Sequence, residues 1–212
     1  MIDHARSFAC DGPEEGAAPR AGAPSRGRRA STPKRQDLTE LRVLLDGRGP
    51  HGPLLRSLDA HRGLAEHGAE VILVDHGLGE VTLGEMRRRA PFARFVPASA
   101  TAALLGSLGD GPPPRFLLVA FPGIALDRRE ARELMAALGG SAAGAAIAPA
   151  LCGPDGAMIE GTHESREPLV WMARRDELSA GASLRMREHR GARALVERPA
   201  ELAILQQEVR GS

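Results

Sequence analysis

Aromatic side chains are scarce in this 212-residue chain, which has no tyrosine, one tryptophan and five phenylalanines. Stacking platforms for bases or sugar rings are correspondingly few. An excess of charge of one sign is also missing. Lysine and arginine total 28 against 27 aspartates and glutamates, a net charge of +1. That removes any global electrostatic case for a nucleic acid or an anionic membrane as partner. The two cysteines, Cys10 and Cys152, match no zinc spacing and no CxxC motif. A reduced, cytoplasmic chain is therefore expected. No apolar run reaches the ~18 residues needed to span a bilayer. The first residues lack the apolar stretch of a signal peptide, so neither a transmembrane segment nor secretion is expected.

Alanine, glycine and arginine are plentiful, and their distribution divides the chain. Residues 1–37 are rich in Pro, Gly, Ala and Arg without apolar periodicity. Such a segment buries too little surface to offset chain entropy and reads as a disordered tail. Its basic cluster, Arg26, Arg28, Arg29, Lys34 and Arg35, suits an acidic partner or lipid headgroups, or is simply solvated. Residues 38–212 read as one α/β domain, long enough for its own core.

Within that domain strand and helix patterns alternate. Leu41 to Leu45 reads as a first strand, and Glu70 to Val74 is a continuous apolar run of the kind buried on both faces of a sheet. Leu54, Leu55, Leu58, Leu64 and Ala65 fall on one helix face that closes near Gly68. A helix through Leu83 and Met86, a short strand at Arg94 to Val96 and a helix over Thr101 to Leu108 follow. Phe116 to Ala120 then reads as strand, Arg128 to Leu138 as helix and Ala145 to Leu151 as strand. Ala182 to Arg190 reads as helix, Ala194 to Val196 as strand and Pro199 to Val209 as helix. This order predicts a mostly parallel sheet with helices on both faces. Ligands of such sheets bind at the carboxyl ends of strands, which directs attention to the loops 46–53, 75–79 and 121–124.

The chain resembles the family 2 glycosyltransferases, which have the Rossmann-like GT-A fold, over most of Leu41 to about Leu205. Six segments carry the likeness in order. The first is the strand, polar loop and leucine helix from Leu41 to Leu58, followed by Val74-Asp75-His76-Gly77-Leu78 in place of the family's Val-Asp-Asp/Asn-Gly-Ser. The helix and short strand from Glu85 to Ala98 come next, then the strand from Arg115 into Phe121-Pro122-Gly123. The strand into Gly153-Pro154-Asp155-Gly156, and Leu169 to Leu178 with Ser183 to Pro199, complete the series.

The resemblance implies transfer of a sugar from a UDP- or dTDP-type nucleotide donor. It also implies a divalent metal, Mg or Mn, held by an Asp-x-Asp carboxylate, and a Glu-Asp pair whose Asp is the general base. Both motifs are missing: Gly123 stands at the metal position, and Leu178-Ser179-Ala180-Gly181 occupies the segment of the base. Losing the base alone costs about 10²–10⁴ in rate, and losing the metal removes a further electrostatic term. The catalytic residues are therefore left unassigned and no metal ligand is expected. A degenerate transferase (a pseudoenzyme) is one reading. A non-catalytic GT-A-fold module that binds a protein, such as an active glycosyltransferase, is another. A nucleotide-binding α/β domain of different descent is the third.

By the same resemblance, Asp46, Arg48, Asp75, His76 and Gly77 are the candidate nucleotide contacts, beside the loop Phe121-Pro122-Gly123. Each has a plainer role open to it. Asp75 could cap the helix that follows, His76 and Arg48 could be solvated, and Gly77 could serve only the turn. Asp127 is expected to cap the Arg128 helix. Asp155, Glu160, His163 and Glu164 fit no ligand spacing and read as turn residues. Asp176 and Glu177, the carboxylates nearest the missing base, read as a solvated helix start, with a displaced base as the alternative role.

Overall fold

The structure, a computed structural model, describes residues 38–100, 113–159, 168–179 and 184–199. The expected tail, the helix over Thr101 to Leu108, all of the helix over Pro199 to Val209 but its first residue, and Glu160, His163 and Glu164 lie outside those residues. The described chain forms strands β1 (Leu41–Asp46), β2 (Glu70–Asp75), β3 (Ala93–Pro97), β4 (Phe116–Ala120), β5 (Ile124–Ala125), β6 (Ala145–Cys152), β7 (Val170–Arg174) and β8 (Arg185–Val196). The helices are α1 (His51–Ala65), α2 (Glu80–Arg89), α3 (Arg128–Gly139) and the short α4 (Arg175–Ser179). Together they make an α/β domain around one eight-stranded sheet of order β3-β2-β1-β4-β7-β6-β8-β5.

The sheet is mixed. β3, β2, β1 and β4 run parallel. β7 is antiparallel to both β4 and β6, and β5 is antiparallel to β8. β6 and β8 again run parallel, so the antiparallel members are β7 and the two-residue β5, and the sheet is mixed where a mostly parallel one was expected. The direction of β7 relative to β4 and β6 depends on tertiary pairing, which alternation of elements does not reveal.

Residues one apart along the strands face opposite ways, and the two faces bury different chemistry. Leu41, Val43 and Leu45 of β1 share a large apolar cluster with Val71 and Leu73 of β2 and with Phe116, Leu118 and Ala120 of β4. α1 adds Leu54, Leu58 and Leu64, α2 adds Met86, and α3 adds Ala131, Leu134 and Leu138. A smaller cluster of Ile72 and Val74 with Leu44, Val96 and Ala98 belongs to the other face. On that alternate register lies Arg42, 1% exposed, whose Nη2 meets the Glu70 carboxylate at 2.7 Å. Glu70 also receives Arg94 at 3.3 Å.

One element departs from expectation. Arg185 to Arg190 is strand, not helix, and continues unbroken to Val196. It pairs in parallel with β6, and the register shifts where Pro149 gives way to Ala150. Proline cannot donate to a ladder, and such a shift is where a strand tolerates it. The outer edge of β8 meets β5 only at Leu195 and Val196. Among the described residues, Arg185, Arg187, Glu188 and Arg190 therefore stand along a largely unpaired edge, where charge deters pairing with other chains. Tertiary pairing with β6 decides the state of this segment, which carries no strong local period of its own.

Breaking the Arg42–Glu70 pair from one side should be costly. Glu70→Ala removes the close carboxylate from a buried guanidinium, and a loss of about 2–3 kcal/mol is expected. The double variant Arg42→Met/Glu70→Ala should recover at least half of it, as read from urea-denaturation midpoints. Equal midpoints for Glu70→Ala and the unaltered protein would refute the assignment.

Candidate functional site

The chain crosses leftward from β1 to β2 and β3, then returns to lay β4 on the other side of β1. The strand order therefore reverses between β1 and β4. In open parallel sheets the crevice outside the carboxyl ends at such a point is where ligands bind. The residues that emerge there are Asp46 and Arg48 after β1, Asp75 to Leu78 after β2, and Phe121 to Gly123 after β4.

The first loop is held tightly against β2. A Cβ built on Gly47 would lie 2.0 Å from the carbonyl oxygen of Val74, so only glycine fits at this crossing. Just before it, Asp46 is largely buried and accepts the backbone N–H of Arg48 at 2.8 Å. It also receives the Arg48 guanidinium in a fork, with Nε at 3.1 Å and Nη2 at 2.7 Å. Nε2 of His76 stands 3.5 Å from the same carboxylate. The Arg48 guanidinium lies over the Phe121 ring, 5.5 Å from its centroid. Four of the residues singled out from the sequence are thus brought together, with Asp46 and Arg48 as partners of each other.

Asp75 is engaged elsewhere. Its Oδ1 accepts the N–H groups of Gly77 at 2.9 Å and Leu78 at 2.7 Å, folding the loop back on itself. Gly79, not Asp75, is the N-cap of α2. Gly77 has φ of +104°, a conformation that favours glycine and accounts for it without a ligand. Asp127 caps α3 as expected, accepting the Glu130 N–H at 2.9 Å.

The Phe121-Pro122-Gly123 loop is pinned from three directions. The Phe121 N–H donates to Leu169 O at 2.9 Å, and Gly123 O accepts from the Glu197 N–H at 3.2 Å. The Gly123 N–H donates to Ser57 Oγ of α1 at 2.8 Å. Phe121 and Pro122 are buried. The nearby Glu197 carboxylate meets Arg56 Nε at 2.8 Å. These residues do not fit the divalent metal of the family. Gly123 offers no side chain, and the Asp46 and Glu197 carboxylates are already matched by guanidinium groups. Among the described residues no group of three or more His, Cys, Asp or Glu is placed to hold a metal.

Two supporting residues were legible but overlooked. Ser57 and His61 continue the apolar stripe Leu54, Leu58, Leu64 of α1 at helical spacing, a place where polar side chains signal a specific partner. His61 is fully buried, and its Nδ1 lies 2.8 Å from Ser57 O, to which it donates. Burial holds its pKa below the ordinary histidine value, while the bond to Ser57 opposes that shift. Glu177, expected at a solvated helix start, is instead buried. Its Oε1 accepts the Gly144 N–H at 2.9 Å and the Arg174 guanidinium, tying α4 to the start of β6. A carboxylate so committed is not poised as a displaced base.

Neither a protein-family model nor a curated protein matches the chain.

Two measurements check this geometry. Gly47→Ala should lower stability by about 2 kcal/mol or more through the clash with Val74. Gly63→Ala, at an open position of α1, should instead raise it by about 0.5–1 kcal/mol. For His61 the sign follows from its lowered pKa: below about pH 6.5 the unfolded chain takes up a proton that the folded chain refuses. Its contribution is whole above that value and declines as pH falls, by up to about 1.4 kcal/mol per unit. His61→Leu should flatten this part of the stability profile between pH 7 and 5. An unchanged slope would show that the histidine accepts its proton in the fold.

Proposed function

We propose that this chain is a glycosyltransferase-like domain of GT-A type. In this reading it holds a nucleotide-sugar at the carboxyl side of the β1/β4 switch point and has lost the means to transfer the sugar through a metal. The observation that carries the reading is the convergence of Asp46, Arg48, His76 and Phe121 from three separate loops at that one point. The Arg48 fork suits the oxygens of a diphosphate as well as it suits Asp46. Exchange of one for the other would supply, without a cation, part of the charge the family draws from its metal. Asp75 acts through the loop it folds, which sets the position of His76.

The pairing of Asp46 with Arg48 and of Glu197 with Arg56 favours a second reading. With both carboxylates matched by guanidinium groups, neither is set up as a base. A fold kept for binding a protein, such as an active glycosyltransferase, accounts for that equally. Among the described residues no helix is long and apolar enough to cross a membrane.

Calorimetry with UDP- and dTDP-linked sugars, with and without Mn²⁺, separates the readings. Binding that Mn²⁺ leaves unchanged is expected, and Arg48→Ala should weaken it about tenfold or more. Asp75→Ala should weaken it less, through disorder of the loop. Metal-dependent binding would overturn the loss of the metal site. No binding to any nucleotide would leave the protein-binding module as the surviving reading.

A further inference from the structure

At the other end of the same sheet lies a cleft of about 610 Å³ that the reading above leaves unused. It opens beside the amino ends of β1 and β4 and is closed on one side by α3. Its floor is formed by the largely buried Leu38 and Phe116 and by the partly exposed Met135. Its rim carries Arg115, Arg129 and Arg132. The volume is within the range of sites for small organic molecules, about 300–1,000 Å³.

The charges around this cleft work against the fold. Arg129 stands in the first turn of α3, where a cation opposes the helix dipole that Glu130 favours, and Arg132 stands one turn further on. The two are also i,i+3 neighbours of like charge. Among the described residues none of the three guanidiniums has a carboxylate partner. Glu40 and Glu133 also line the cleft, but Glu133 is drawn to His189 Nε2 at 3.3 Å. The Arg115 guanidinium lies over the Phe116 ring, 5.1 Å from its centroid, so the aromatic floor and the basic rim meet. A bound oxyanion would relieve both the repulsion and the dipole, and an apolar group attached to it would cover the floor.

We propose that this cleft binds a small organic phosphate, with its phosphate held by Arg129 and Arg132 and its apolar part lying against Phe116 and Met135. Two guanidinium forks can share the three free oxygens of a phosphate monoester, whereas a carboxylate offers two, which favours phosphate. The site is separate from the switch-point crevice and does not depend on it.

The test is calorimetric titration of the full chain with phenyl phosphate and with inorganic phosphate. Phenyl phosphate should bind at least fivefold more tightly than inorganic phosphate, since it alone reaches the apolar floor. Arg129→Gln/Arg132→Gln should weaken it about tenfold or more. Without ligand this variant should melt no lower than the parent, because it removes a repulsion. Arg115→Gln, on a different element, provides an independent variant and should weaken phenyl phosphate as well. Arg88→Gln, at an exposed arginine of α2 outside both sites, should leave phenyl phosphate affinity unchanged, and Arg129→Gln/Arg132→Gln should leave the nucleotide titrations unchanged, which keeps the two outcomes distinct. The proposal is overturned by equal affinity for the two phosphates, by affinity indifferent to the rim arginines, or by no heat of binding at millimolar ligand.

Discussion

β1 is hydrogen-bonded along both edges, to β2 on one side and β4 on the other, and all three strands run in the same direction. A parallel strand with both faces covered can hold only one register, because a slip of one residue would turn Leu41, Val43 and Leu45 out of the apolar cluster and Arg42 into it. That register decides where β1 ends, and therefore that Asp46 and Arg48 emerge level with the ends of β2 and β4. The crossing at Gly47 fixes the same loop from the other side, since the carbonyl of Val74 leaves no room for a side chain. The crevice chemistry thus depends on a packing constraint made several residues away from it.

What converges there is a set of mutually satisfied groups. A carboxylate forked by an arginine is at once a stable local structure and a preformed geometry for an oxyanion to exchange into. The same economy governs the loop after β4, which has no functional side chain of its own. It is positioned through backbone groups by Ser57, Leu169 and Glu197. By contrast, the cleft at the amino end of the sheet has charges left unsatisfied by the fold. The two ends therefore differ physically: one has closed its charges internally, and the other presents them outward.

Helices and strands with strong apolar periodicity were legible from residues alone. The stripe of α1, the runs of β1, β2 and β4, and the Asp127 cap of α3 each rest on local spacing, which the folded chain keeps. β8 was not legible in its first half, because Arg185 to Arg190 has no apolar face to declare a period. Its state is decided by hydrogen bonds to β6, a partner some forty residues earlier in the chain. Glu177 was misplaced for a related reason: nothing near it in sequence reveals that the Gly144 N–H needs an acceptor. The candidate site was legible as a list of loop residues. Which of them pair with one another was not.

The sequence by itself determined that this is an α/β chain whose strand ends carry Asp46, Asp75 and Phe121, and that no carboxylate follows β4. Those are properties of residue identity and local period. The tertiary structure alone decided that the sheet is mixed, that Asp46 and Arg48 close on each other beneath His76, and that Asp75 is spent on its own loop. It also decided that three arginines from two separate elements border one cleft. Each of those outcomes depends on distance between residues far apart in the chain, which strand order and register set and residue identity does not.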